Sequence, residues 1–180
     1  MIATDSYTNI QLDAIKEVAN IGAGHAASAL SLMLNERVTI SITQVNLSDS
    51  VLSPLKGSNQ ETIFFSHPFS GDLAGEIWVA TEKDDADMIA LKLLDASVYN
   101  PVQLLSEISH ILAGSYMSAV SDMFRLNLSL LPPQSSDKAS EFSLNFQNTL
   151  NIDERLTGCS LQFNLSKASL SELLAKCQVA

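Results

Sequence analysis

The feature that most limits the fold of this 180-residue chain is that it repeats itself. Two long stretches with helical spacing match at an offset of 90. Glu17 meets Glu107, Ile21 meets Ile111, Ala23-Gly24 meets Ala113-Gly114, Ser28-Ala29 meets Ser118-Ala119, Ser31 meets Ser121 and Met33 meets Met123. Agreement that dense exceeds what a common helical composition produces. Later segments correspond too, with Leu73-x-Gly75 beside Leu156-x-Gly158. A unit of this size cannot bury its sheet face alone, so the two halves are expected to share one core. The reading is a single α+β domain over 1–180 with half-repeats of about 1–97 and 98–180. Each half is helix, three strands, helix, related by a pseudo-twofold axis, giving an antiparallel sheet with two long helices packed on it.

Local signals place the elements. Thr8 followed by Gln11 is a capping box, and apolar spacing through Leu12, Ile15, Val18, Ala19, Ala23, Ala26, Ala27, Leu30 and Leu34 predicts a helix over about 9–35. "RVTISITQVNL" alternates at Val38, Ile40 and Ile42 and reads as one strand. Residues 49–59 read as a loop, and "ETIFFSHPF" and "LAGEIWVAT" as two further strands. Thr81 with Asp84 offers a second capping box, opening a helix through Met88, Leu91 and Leu94. Asn100-Pro101 is an N-cap and first-turn pair for "VQLLSEISHILAGSYMSAVSDMFR"; strands follow in "NLSLL", "EFSLNFQNTLNI" and "LTGCSLQFNLS", and Ser166 opens "KASLSELLAKC".

Charge and composition exclude whole classes. The formal net charge is −10, and the ten basic residues are never adjacent. A nucleic-acid groove needs clustered Lys and Arg, and an acidic membrane surface is disfavoured on the same ground. No run of apolar residues is long enough to span a bilayer. "MIATDSYTNI" lacks the basic segment and apolar run of a signal peptide. Cys159 and Cys177 have no metal-type spacing; a cytoplasmic location is expected.

Gly22-Ala23-Gly24-His25-Ala26-Ala27 fits the G-x-G-x-x-A fingerprint of dinucleotide loops. That fingerprint needs a strand, a tight turn and then a helix start. Here "LDAIKEVAN" precedes it with helical spacing, so the glycines stand inside a helix with their N–H groups already bonded. In the second copy the first glycine is Leu112. The small residues are therefore read as packing positions.

Asp13, Glu17 and Asn20 fall within about 60° of one line along the first helix. Gln103, Glu107 and His110 occupy the same places on the second. Most such stripes are solvated faces, but here the glutamate repeats. "LDAIKEVANIGAGHAASALS" resembles the signature of the CheC/CheX/FliY family of chemotaxis phosphatases: Asp or Ser, three residues, Glu, two residues, Asn, then 22 residues and Pro. "PFSGDLAGEIWVAT" also resembles that family, and the doubled motif is more similar to CheC than to CheX. The first set matches at Asp13, Glu17 and Asn20 and departs at Thr43, where proline is expected. The second matches at Glu107 and Pro133 and departs at Gln103 and His110.

The resemblance implies hydrolysis of the aspartyl phosphate of a CheY-like response regulator. Asn20 would place the water and Glu17 would pair with a cation of the regulator. Glu107 and His110 are the matching candidates of the second set. Asp13, Glu17, Gln103 and Glu107 would contact the partner. No cofactor is expected on this chain; Mg2+ would come with the regulator. Thr43 is expected to matter little, because the proline's task is to shape the chain beside the helix. His110 fits water placement less well than a packing or surface role, since it has no amide and a different reach. The alternative is a non-catalytic adaptor for a phosphorylated regulator or a CheD-like deamidase. Glu107-x-x-His110 also fits half of a di-iron motif, but the remaining ligands are missing, so no metal site is expected. His67, before Pro68, is read as structural. Monomer and homodimer both remain open.

Overall fold

The computed structural model describes residues 7–47, 61–93, 100–134, 144–152 and 156–177. In chain order the elements are α1 (Asn9–Leu34), β1 (Val38–Ile40), β2 (Gln44–Leu47), β3 (Thr62–Gly71), β4 (Gly75–Glu82), α2 (Lys83–Leu93), α3 (Pro101–Phe124), β5 (Leu128–Leu130), β6 (Leu144–Ile152), β7 (Leu156–Leu165) and α4 (Lys167–Lys176). The Thr8 capping box forms as read: its hydroxyl accepts from the Gln11 N–H, and the Gln11 side chain accepts from the Thr8 N–H at 2.9 Å. Asn100 caps α3 through the Gln103 N–H, with Pro101 in the first turn. Both long helices end on a left-handed residue, Asn35 (φ 52) and Arg125 (φ 53), which again stand 90 apart.

The strands form one antiparallel sheet in the order β1-β6-β7-β4-β3-β5, with β2 also paired to β6. The short strand after each long helix joins the hairpin of the other half. Ile40 faces Leu150 as Leu130 faces Phe69, and Gln44 faces Gln147 as Gln134 bridges to Ser66. The central pairing, β4 with β7, also joins the halves. One apolar core results, running from Ile15 and Leu30 through Ile77, Leu112, Phe146 and Phe163 to Leu173.

Four expectations change. The strand read over 37–47 divides into β1 and β2, so the first half carries four described strands. At the break the chain's polar groups turn away from a regular ladder. Ser41 exchanges bonds with Thr149 through its N–H and hydroxyl, and Thr43 turns its hydroxyl toward α1. Ile42, expected inside by alternation, is 85% exposed. Thr81 belongs to β4 and does not cap α2; it is buried and donates to the Gly158 carbonyl at 2.6 Å. On α2 the buried residues are Ala86, Ile89 and Ala90, while Met88 and Leu91 face out. The loop read at 49–59 and Leu94 lie outside the described residues.

The packing role expected of the glycines holds for one of them. A Cβ on Gly22 would stand 2.6 Å from the buried Tyr116 ring, whereas one on Gly24 would meet nothing within 4 Å. Gly22→Ala is expected to lose about 1–3 kcal/mol, because a fully buried ring cannot yield without strain. Gly24→Ala is expected to gain up to about 1 kcal/mol from helix propensity. Urea unfolding of the two variants checks the pair; equal effects would contradict the assignment.

Candidate functional site

The first stripe lies on the outer side of α1. Asp13 and Glu17 are exposed and Asn20 is half-buried. Asp13 pairs with Lys16 at 3.0 Å in the open, a contact worth little in water. Glu17 has no ion pair among the described residues. Asn20 sits where α1 passes over β6 and the β1–β2 break. Its Oδ1 accepts from the Thr43 hydroxyl at 2.6 Å and from Asn148 Nδ2 at 3.1 Å. Asn148 is 1% exposed, and its Nδ2 also reaches the Ser41 carbonyl at 3.1 Å and Thr43 Oγ1 at 2.9 Å. Thr43 Oγ1 lies 3.4 Å from the Lys16 carbonyl as well.

Two of these residues alter the sequence reading. Thr43 was expected to matter little, yet its hydroxyl bonds the Asn20 side chain, which proline has no group to do. Asn148 was not singled out at all. Its signal lay in the alternation of β6, where it interrupts the buried row of Phe146 and Leu150 with an amide.

The second stripe follows α3. Gln103, Glu107 and His110 are all exposed. Glu107 and His110 line an open groove of about 480 Å³ with Ser106, Ile111, Pro132 and Pro133; Gln103 is not part of its wall. Beneath the stripe lies His67, fully buried, its ring 5.7 Å from that of His110. His67 stands two residues before Phe69 on β3, as Asn148 stands two before Leu150 on β6, and Phe69 and Leu150 are the residues paired to Leu130 and Ile40. His67 and Asn148 therefore hold corresponding places under His110 and Asn20. The contacts differ: no described residue hydrogen-bonds His110.

His67 has a defined tautomer. The Ser109 hydroxyl donates to the Ser106 carbonyl at 2.8 Å, so at 3.0 Å it accepts from His67 Nε2, which must carry the proton. Nδ1 is then a bare lone pair, buried without a hydrogen-bond partner among the described residues. Burial, and then the neighbouring His110, lower the pKa of His67 to about 4. Among the described residues no three His, Cys, Asp or Glu side chains converge as a metal site would require. No described helix is long and apolar enough to cross a membrane.

A depressed histidine pKa makes the neutral form part of the fold. The unfolded chain takes up a proton near the ordinary value while the folded chain resists until about pH 4. Stability from this group is full above pH 6.5 and is lost as pH falls toward 4. His67→Phe is expected to remove about 2–3 kcal/mol of that acid sensitivity. Urea midpoints of wild type and variant between pH 7 and pH 4 measure it; parallel pH curves would contradict it.

Comparison with known proteins bears on this arrangement. The CheC-like family model matches residues 10–43, the segment holding Asp13, Glu17, Asn20 and Thr43. The CheY-P phosphatase CheC of Bacillus subtilis (strain 168) is 29% identical over 129 residues, 66% of this chain and 62% of that protein. The match thus spans less than two thirds of that relative. Thermotoga maritima FliY superposes with a TM-score of 0.73 at 16% identity, covering 96% of this chain and 98% of its own. A chain of the CheX-CheY-BeF3-Mg2+ complex from Borrelia burgdorferi gives 0.54 at 17% identity, over 82% of this chain and 95% of its own. The resemblance to the CheC/CheX/FliY family and the α+β fold with its antiparallel sheet are borne out.

Proposed function

We propose that this CheC-like chain dephosphorylates the aspartyl phosphate of a CheY-like response regulator, working through the first stripe. The observation that carries the reading is that Asp13, Glu17 and Asn20 share one side of α1, with the Asn20 amide held from beneath by two residues. The similar Bacillus subtilis protein bears the name CheY-P phosphatase, which supports the same chemistry here.

The reaction asks little of the protein. A water oxygen bonds to phosphorus, the bond from phosphorus to the aspartyl oxygen breaks, and the aspartate leaves as carboxylate with the electron pair. Both water protons end on the released phosphate. An acyl phosphate is already reactive, so ordering the water and the phosphoryl group in line is the main contribution a helper can make. Asn20 supplies an amide for that purpose. Glu17, exposed and without an ion pair among the described residues, meets a cation of the regulator and fixes the docking. Mg2+ belongs to the regulator. The exposed Ile42 beside Thr43 offers the partner an apolar contact.

A second reading is an adaptor that binds a phosphorylated regulator or a CheD-like deamidase without catalysis. The departures at Gln103 and His110, and a His110 ring that no described residue hydrogen-bonds, favour it for the second stripe. One assay separates the readings. A CheY-like receiver phosphorylated in the presence of Mg2+ is expected to lose phosphate faster with this protein. Asn20→Ala is expected to cut the acceleration at least about a hundredfold, and His110→Ala to change it by less than about threefold. Glu17→Lys is expected to weaken binding of the receiver. A wild type that binds the receiver and accelerates nothing establishes the adaptor.

A further inference from the structure

We infer that Thr43 and Asn148 are positioning residues that fix which end of the Asn20 amide faces outward, so that Asn20 meets the phosphoryl site as a hydrogen-bond donor only. The role rests on the function proposed above; the orientation itself rests on the hydrogen-bond network alone.

The network has one consistent solution. The Ser41 carbonyl can only accept, so the Asn148 side chain must present its NH2 group there, at 3.1 Å. The remaining hydrogen of that group points between Thr43 Oγ1 at 2.9 Å and Asn20 at 3.1 Å. An NH2 facing an NH2 would be donor against donor, so the inner atom of Asn20 is its oxygen. Thr43 has a single hydroxyl proton, and at 2.6 Å it goes to that same oxygen. Asn148 Oδ1 is left buried without a partner among the described residues, and turning that side chain over would set its oxygen against the Ser41 carbonyl. Both lone pairs of Asn20 Oδ1 are thereby engaged from inside. No described residue accepts from Asn20 Nδ2, whose two hydrogens are the only free hydrogen-bonding groups of the side chain.

The chemistry follows. An outward NH2 can donate to a phosphoryl oxygen, where negative charge gathers, or to a lone pair of the attacking water. It cannot accept a water proton, so Asn20 is not a base, and both protons pass to phosphate oxygen. Choosing the amide end in advance removes a rotation that would otherwise be settled in the complex. The second stripe lacks the device. Pro133 has no hydroxyl, and His67 directs its one N–H to Ser109 and not to His110.

The test uses the full chain, a CheY-like receiver phosphorylated with acetyl phosphate and Mg2+, and the variants Thr43→Val, Thr43→Ser, Asn148→Leu and Asn20→Asp. Thr43→Val keeps the shape and loses the hydroxyl. It is expected to lower kcat about tenfold with KM within about twofold, and Thr43→Ser to recover most of the loss. Asn148→Leu is expected to act in the same direction, and it serves if Thr43→Val does not fold. Asn20→Asp keeps the inner oxygen and turns the outer group into an acceptor; it is expected to be as slow as Asn20→Ala. A wild-type kcat in Thr43→Val or in Asn20→Asp overturns the inference. Side-chain 15N relaxation tests the orientation without any reaction. The Asn20 NH2 group is expected to be rigid in the wild type and mobile in Thr43→Val, and equal mobility in both overturns the clamp. A wild type that accelerates nothing yet has a rigid Asn20 amide that Thr43→Val releases sinks the phosphatase reading and leaves the clamp standing.

Discussion

The pairing of β1 and β2 with β6 is the constraint on which the candidate site depends. It sends the chain that follows α1 onto a hairpin about 100 residues away. That crossing places Ser41 and Thr43 from one half and Asn148 from the other under a single residue of α1. Without it Asn20 would be another polar residue on an exposed helical face, free to rotate and equally able to donate and accept. The short break at Ser41–Thr43 is part of the same arrangement. A continuous strand would carry the Thr43 hydroxyl into a regular alternation, whereas the break turns it back toward the helix and sends Ile42 into solvent. An irregularity of three residues thus sets the chemistry of a side chain more than 20 positions earlier.

A second group of polar side chains is buried where β6 pairs with β7 and β7 with β4. Asn145, Ser160, Gln162 and Asn164 are each no more than 1% exposed. Asn145 donates to Gln162 at 3.0 Å and to Asn164 at 2.5 Å, and the Asn164 amide reaches the Glu76 carbonyl at 3.3 Å. These bonds across neighbouring strands offset the cost of burying most of the amide groups, with Gln162 Nε2 left as a buried group without a hydrogen bond to any described residue. They also help to pin the register, since a slip of one residue would set these amides among Phe146, Leu150 and Phe163.

What the sequence made legible follows from the range of the forces involved. Caps act over three residues and apolar periodicity over a turn or two, so Thr8, Asn100 and Ser166 could be read directly and the long helices fall where expected. The matched stripes were also legible, because a helix converts spacing into direction. Thr81 misled because a capping box and a buried strand hydroxyl look alike until the distant Gly158 carbonyl is in place. The break after Ile40 was hidden by an alternation that runs through it unchanged. Asn148 and His67 were out of reach as partners of the helices, since their importance comes from pairing with segments far along the chain. The amide inside the apolar row of β6 was a visible trace of it.

Positions where the two long helices agree and where they differ have different physical meanings. Gly24 and Gly114 match, and neither has a neighbour within 4 Å of where a Cβ would stand. Gly22 does not match; its counterpart is Leu112, and it receives the ring of Tyr116, whose own counterpart is Ala26. At that crossing, small residues on one helix accommodate large ones on the other, a fit that two identical surfaces would not provide. The differences at the stripes are coupled in a comparable way. Asn20, Thr43 and Asn148 form one hydrogen-bonded set, and the three corresponding places hold His110, Pro133 and His67, which do not. An imidazole over a proline and a buried neutral histidine has neither the donors that orient an amide nor an amide to orient. The second stripe is therefore a different local structure built on the same frame, and its groove beside Ile111 and the two prolines offers a partner mainly apolar contact. The two stripes thus differ in kind: the first carries an amide held by two side chains, the second an imidazole beside an open groove.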